Sequence, residues 1–343
     1  MQNASDKLAD LMTIRQLIMQ RLIAGENIKL NRELDAIAKE IEKKIVKGNL
    51  SNLQGKRLDK AIEQLLQYVS LSAPDLGDLA EVEARFAVAS LGQVGFDATL
   101  PALSTIRSIS EASLVQGATI GEWFGNLQEQ TRFNLTREIK AGINLGETNS
   151  QILKRIMSTS DKGPEVFAKT RRDGMAIVRT SVQTIANEAR LKTYEENEDI
   201  LSGIQWVSTL DSRTSDICIA RSGLVWTLPD YKPKGHKIAW NGGPPAHWAC
   251  RSTTIPVTKS FKELGIDAEE IPAGTRSSMD GEVAQDLSFG DWLKGKPTSF
   301  ADEMLGKGRA QLWRDGKITL TELLDQRGNP LTLAQLKAKY GTD

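Results

Sequence analysis

Cysteine and histidine are scarce in this chain, with two of each among 343 residues. Two cysteines can form one bridge at most, which excludes the disulfide-dense scaffold of a small secreted protein. Aromatic residues make up only 6%, so no stacking platform for nucleic-acid bases is advertised. Neither sign of charge is in excess: Lys plus Arg and Asp plus Glu number 44 each. That balance gives no global attraction to DNA or to an acidic membrane surface and leaves only local patches. No apolar run reaches the length needed to span a bilayer. The opening Met1-Gln2-Asn3-Ala4-Ser5-Asp6 lacks the basic and apolar regions of a signal peptide. The expectation is a protein made and folded in a cytosol, with no membrane partner.

What the chain does have is helical periodicity. Leu34, Ile37, Ile41 and Ile45 recur at three- and four-residue steps, as do Leu58, Ile62, Leu65 and Val69. Two further stripes are Leu76, Leu79, Val82 and Phe86, then Leu100, Leu103 and Ile106. Breaks at Gly48, Gly55, Pro74, Gly92, Gly95 and Pro101 predict segments of ordinary helical length. Leu11, Ile14, Leu17, Ile18, Leu22 and Ile23 cover more of a helix than one packing stripe needs. A helix is predicted over 136–143 with Gly146 as its stop, then a short one capped by Thr148, Asn149 or Ser150. A long helix follows to about Asn197, with Val178, Val182, Ile185 and Ala189 on one face. Lys169, Arg171 and Arg172 near its start read as a solvated face sooner than a phosphate contact.

At Gly203 the pattern changes. Ile204 to Val207, Leu224 to Trp226 and Ile238 to Trp240 are strand candidates separated by Gly- and Pro-rich turns. Pro272 to Gln285 reads as a linker or surface loop, followed by short helices to Tyr340. The fold class expected is therefore α+β and mainly helical. Residues 1–146 form a helical arm suited to contacts with other proteins, 147–260 a small β-containing module, and 261–343 a linker with a short helical C-terminal region.

Both cysteines and one histidine fall in one window. It runs Asp211-Ser-Arg213-Thr214-Ser215-Asp216-Ile-Cys218, then Gly223, then Pro244-Pro245-Ala-His247-Trp248-Ala-Cys250-Arg251. Cys218, His247 and Cys250 supply three of the four donors of a tetrahedral zinc site, and Asp211, Asp216 or His236 would have to supply the fourth. Ser215 stands where a Cys-x-x-Cys pair would place its first cysteine, which weakens the zinc case. The same atoms suit a Cys218–Cys250 cross-link or a buried trio with cysteines acting as small hydrophobes. A Cys–His nucleophile oriented by Asp211 ranks last, because no oxyanion hole or cleft is indicated. Arg213 and Arg251, beside Asp211 and Asp216, are expected to brace the loops through forked hydrogen bonds rather than to bind phosphate.

Asp211-x-Arg213-Thr214, Cys218, Gly223 and Pro244-Pro245-x-His247-x-x-Cys250-Arg251-Ser252-Thr253 together resemble the signature of the phage Mu F-like head-morphogenesis family. The helix from Arg179-Thr180 through Asn187, Ala189-Arg190 and Tyr194 is similar to the one before that signature. Asp291-Trp292-Leu293 and Gly306-x-Gly308-Arg309-Ala310-x-Leu312-Trp313 also resemble the family's C-terminal stretch, less specifically. The resemblance implies a minor head protein of a tailed bacteriophage, assembled in the host cytoplasm and present in the virion head in several copies. Portal protein and major capsid or scaffolding protein are the implied partners, with packaged DNA a further candidate. The motif residues carry over as a fold-defining set with no catalytic assignment, and no fused toxin or nuclease domain is expected. The competing readings are a Cys/His-dependent enzyme and a DNA-anchoring module.

Overall fold

A computed structural model describes residues 4–158, 165–260, 262–265, 275–278, 281–284 and 287–340. The chain is mainly helical with a small antiparallel sheet, the α+β class expected. It divides into two compact units. One comprises 1–18, 76–113 and 183–343, and the other 19–75 and 114–182. These units interleave along the sequence, whereas the division read from composition runs consecutively. The physical reason is the length of two helices, α1 (Ala4–Gly48) and α7 (Val166–Glu196), each of which contributes residues to both units. Segments of ordinary length were expected. Instead α1 runs for 45 residues, because its interior contains no proline and Gly25 alone costs only about 1 kcal/mol.

The 19–75/114–182 unit is built on helices. Leu30, Leu34, Ile37, Ile41 and Ile45 of α1 are buried with Leu58, Ile62 and Leu65 of α2 (Gly55–Leu66). Phe124, Leu127, Leu135 and Ile139 of α5 (Ile120–Asn144) and Ile152 and Ile156 of α6 (Asn149–Met157) complete that core. Gly146 follows α5 with φ +72, the left-handed geometry that ends helices. Thr148 then caps α6 in a reciprocal capping box with Gln151. The basic cluster is fully engaged: Lys169 pairs with Asp173, Arg171 with Asp35, and Arg172 with Glu165. The solvated-face reading of that cluster fits these pairs.

In the other unit, α3 (Leu79–Gln93) and α4 (Leu103–Ala112) precede the C-terminal part of α7. Within α3 the buried face is Leu79, Ala80, Glu83, Ala84, Ala87 and Leu91, while Val82 is exposed. In α4 Ile106 is buried and Leu103 exposed. The four-stranded sheet has the order β3-β2-β1-β4, from β1 (Leu201–Val207), β2 (Val225–Thr227), β3 (Pro233–Lys234) and β4 (Thr253–Thr258). The predicted strand at Ile238 to Trp240 is absent. There the Ile238 carbonyl accepts the Trp226 indole N–H at 2.9 Å and the Ala239 amide donates to the Gln326 carbonyl at 2.9 Å, so side chain and loop replace a ladder. The strand β4, not foreseen, contains Pro256 and occupies an edge, where a missing N–H is tolerated.

The C-terminal region is core rather than appendage. Phe289, Trp292 and Leu293 of α9 (Phe289–Lys294), Leu305 of α10 (Thr298–Leu305), Leu312 of α11 (Lys307–Arg314) and Leu336 of α12 (Leu333–Tyr340) are buried in one cluster. Trp206, Trp226, Cys218 and Cys250 belong to the same cluster. Within the stretch expected as a linker, β5 (Thr275–Ser278) and β6 (Gly281–Ala284) form an antiparallel hairpin; Pro272 and Gln285 lie outside the described residues. No described helix is long and apolar enough to cross a membrane.

Candidate functional site

The motif residues gather around a short helix, α8 (Asp216–Arg221), that follows β1. Asp211 organises the connecting turn. Its carboxylate accepts the Arg213 amide at 2.9 Å, the Thr214 hydroxyl at 3.2 Å and a forked pair from Arg251, whose Nη2 lies at 2.7 Å. Thr214 also donates to the Thr209 carbonyl at 2.5 Å. Ser215 then caps α8, its hydroxyl accepting the Cys218 amide. Gly223, at φ +83, closes the helix so that its amide reaches the Trp206 carbonyl at 2.8 Å and β2 can pair with β1. Pro244 and Pro245 lead into a tight His247-x-x-Cys250 turn, in which the Cys250 amide donates to the His247 carbonyl at 3.2 Å. Ala249 inside that turn adopts φ +57, a conformation a non-glycine residue holds only under constraint from its surroundings.

These elements bring Cys218, His247 and Cys250 together as expected. The two sulfurs are 3.5 Å apart and unbridged, and His247 Nε2 lies 3.3 Å from Cys218 Sγ. All three donor atoms fall within 4.8 Å of one another. His247 is oriented at both nitrogens, with Nδ1 donating to the Trp248 carbonyl at 2.9 Å and Nε2 at 2.7 Å from Ser215 Oγ. Both cysteines are buried, and the hydrogen bond between them splits their titration. It pushes Cys218 up and draws Cys250 down, with His247 adding to the stabilisation of a Cys250 thiolate. The same contact with Cys250 raises His247, against burial, which lowers it. The contacts thus favour the thiolate on Cys250 over Cys218.

None of the residues named as a fourth ligand reaches the cluster. Asp211 is committed to Arg251, and Asp216 forms an ion pair with Arg309 of α11 at 2.5 Å. His236 donates through Nε2 to the Val225 carbonyl at 2.8 Å and accepts the Ile238 amide, with its ring packed on Trp226 at 4.8 Å. Nor does Asp211 orient His247, so the nucleophile–base–orienter chain of a Cys–His catalyst is not assembled from these three residues. Arg251 braces the loop as expected. Arg213 is largely exposed, 3.7 Å from Asp211, and contributes mainly its backbone amide. Two partners escaped the sequence reading: Ser208, whose hydroxyl donates to the Cys218 carbonyl at 2.6 Å, and Arg309. Arg309 was visible only as part of the C-terminal resemblance, since nothing local links it to Asp216, 93 residues away.

Asp211 gives the site a pH signature. Burial would raise its carboxyl, but Arg251, the Arg213 amide and Thr214 together hold it below the usual carboxylate range. A depressed folded-state value contributes stability that is complete above the unfolded value of about 4 and is lost as pH falls through the folded one. Asp211→Asn is therefore expected to be less stable than the parent at neutral pH, with the gap closing as pH drops below about 4. Urea unfolding of both chains across that range checks it; a gap that persists undiminished in acid contradicts the assignment.

The comparisons with known proteins bear on the same region. Residues 129–255 match the family described as Phage Mu protein F like protein. Comparison with curated proteins and with solved structures yields no match. The matched stretch runs from within α5, through the helix that carries Arg190, to the middle of β4. It encloses every residue of the Asp/Arg/Cys/His motif, and over that stretch the chain is similar to the Phage Mu protein F-like family.

Proposed function

We propose that this protein is a structural minor component of a tailed-bacteriophage head that acts in head morphogenesis. It assembles in the host cytoplasm and resides near the portal vertex of the virion in several copies. Portal protein is its principal partner, major capsid or scaffolding protein its neighbour, and its role extends to packaging or delivery of the genome. The observation that carries this reading is the family match across the whole Cys/His module. The pairing of Asp211 with Arg251 supports a structural use of the motif. Mass spectrometry of purified procapsids and heads, with portal pull-downs, tests the reading: the chain is expected in particles and with portal, and its absence from both particle forms overturns it.

The N-terminal helix supplies the candidate contact. Ile14, Leu17 and Ile18 on α1 are 56%, 61% and 43% exposed, a cluster at helical spacing that a soluble surface would ordinarily spend on polar residues. Their joint replacement by Glu is expected to change folding stability by less than about 1 kcal/mol while lowering incorporation into particles. Wild-type incorporation of a folded triple variant would remove α1 as the docking element.

A further inference from the structure

We propose that Cys218, His247 and Cys250 form a three-ligand Zn²⁺ site whose fourth position is left to water. The donor atoms lie close to the separations a bound metal would set. A tetrahedral zinc with bonds of ~2.3 Å to sulfur and ~2.0 Å to nitrogen sets its sulfurs ~3.8 Å apart and a sulfur and nitrogen ~3.6 Å apart. The observed separations are 3.5 Å between Cys218 and Cys250 sulfurs and 3.3 Å from Cys218 Sγ to His247 Nε2, each a few tenths of an ångström from those values, and all three donor atoms lie within 4.8 Å of one another. The histidine is presented as a ligand: Nδ1 donates to the Trp248 carbonyl, the outer contact that fixes a metal-binding tautomer and leaves Nε2 as the coordinating atom. The constrained backbone of Ala249 is what turns His247 and Cys250 toward one point.

The fourth corner distinguishes this site from a closed structural one. Ser215 stands at the N-cap of α8, three residues before Cys218, and a serine hydroxyl is a poor zinc ligand. Beside it lies a recess of about 20 Å³ lined by Ser215, Cys218, His247, Arg213 and Arg251 among others, enough for one water molecule. Two thiolates neutralise the ion, and Arg251 is already paired with Asp211, so the bound state leaves no unbalanced charge. Thiolate and imidazole donors in this geometry select zinc among the common divalent ions.

The full-length chain, purified under reducing conditions and incubated with zinc, is expected to retain one equivalent after gel filtration. Cobalt in its place should show an intense thiolate-to-metal absorption band, which Cys218→Ser or Cys250→Ser weakens or abolishes. Because either cysteine variant can lose stability, Ser215→Cys provides the decisive arm. It adds a fourth thiolate at the open corner and should tighten zinc binding by at least about tenfold, equivalent to ~1.4 kcal/mol. A folded, reduced parent chain that retains no zinc and gives no thiolate band with cobalt overturns the proposal, as does a Ser215→Cys chain that binds zinc no more tightly. These readouts use isolated protein, so their failure leaves the head-assembly reading standing, and particle data do not bear on them.

Discussion

Glu83→Ala is expected to destabilise the protein by about 3–5 kcal/mol, the usual consequence of stranding one member of a buried ion pair. Glu83 and Arg190 are both wholly buried and in direct contact. Arg15 closes on the same carboxylate through Nε at 2.7 Å. Arg190 is held further by Asn187 at 3.0 Å and by the Thr253 hydroxyl at 3.3 Å. One guanidinium therefore ties α3 to α7 and to the edge strand β4 that follows the Cys/His turn. Removal of Glu83 leaves Arg190 charged where water cannot reach it. The paired change Glu83→Leu with Arg190→Met removes both charges and should recover most of the loss, since well-packed apolar residues commonly match a buried pair. Urea denaturation of the three chains measures this. A single-variant loss under about 1 kcal/mol would mean the pair is solvated and not the tie described.

Gly203→Ala is expected to cost at or beyond the upper end of the about 1–3 kcal/mol typical of overpacking. A Cβ there would sit 2.3 Å from the Trp226 carbonyl oxygen, 3.1 Å from its carbon and 3.3 Å from Thr227 Cα. All three are backbone atoms of β2, so no side chain can swing aside and the β1–β2 ladder itself must part. Trp206 and Trp226 are buried on either side of that seam with ring centroids 6.5 Å apart, so its displacement reaches the core under α8. Gly290→Ala is the control. Its nearest neighbour would be an ordinary 3.6 Å from the new Cβ, and in α9 alanine is the better helix former. Calorimetric melting should separate the two variants clearly; equal melting temperatures would show that the strands accommodate a methyl group freely.

Much of the helical architecture is local and therefore legible. The caps at Thr148 and Ser215, the stop at Gly146 and the apolar steps from Leu34 to Ile45 satisfy backbone groups and burial within a few residues of themselves. The convergence of Cys218, His247 and Cys250 was also legible, because the rarity of these residues and the short His-x-x-Cys turn constrain the answer. Spacing misled where burial and not periodicity selects the face. On α3 the stripe through Val82 is outvoted by small residues and a buried Glu83, since an ion pair with Arg190 can only form where that face packs.

By itself the sequence determined the mainly helical class, the position of the β-containing module and the resemblance of its Cys/His motif to a phage family, each of which depends on residue type at short spacing. Tertiary structure alone decided which acidic residue meets which arginine, that Asp211, Asp216 and His236 are engaged away from the cysteines, and that the C-terminal helices complete the core around Trp206 and Trp226. Those outcomes rest on contacts between residues tens of positions apart, such as Arg309 with Asp216 and Arg190 with Glu83. A charge or apolar side chain in sequence states only what it can pair with, and the partner is chosen by which surfaces the packed helices and sheet bring within reach.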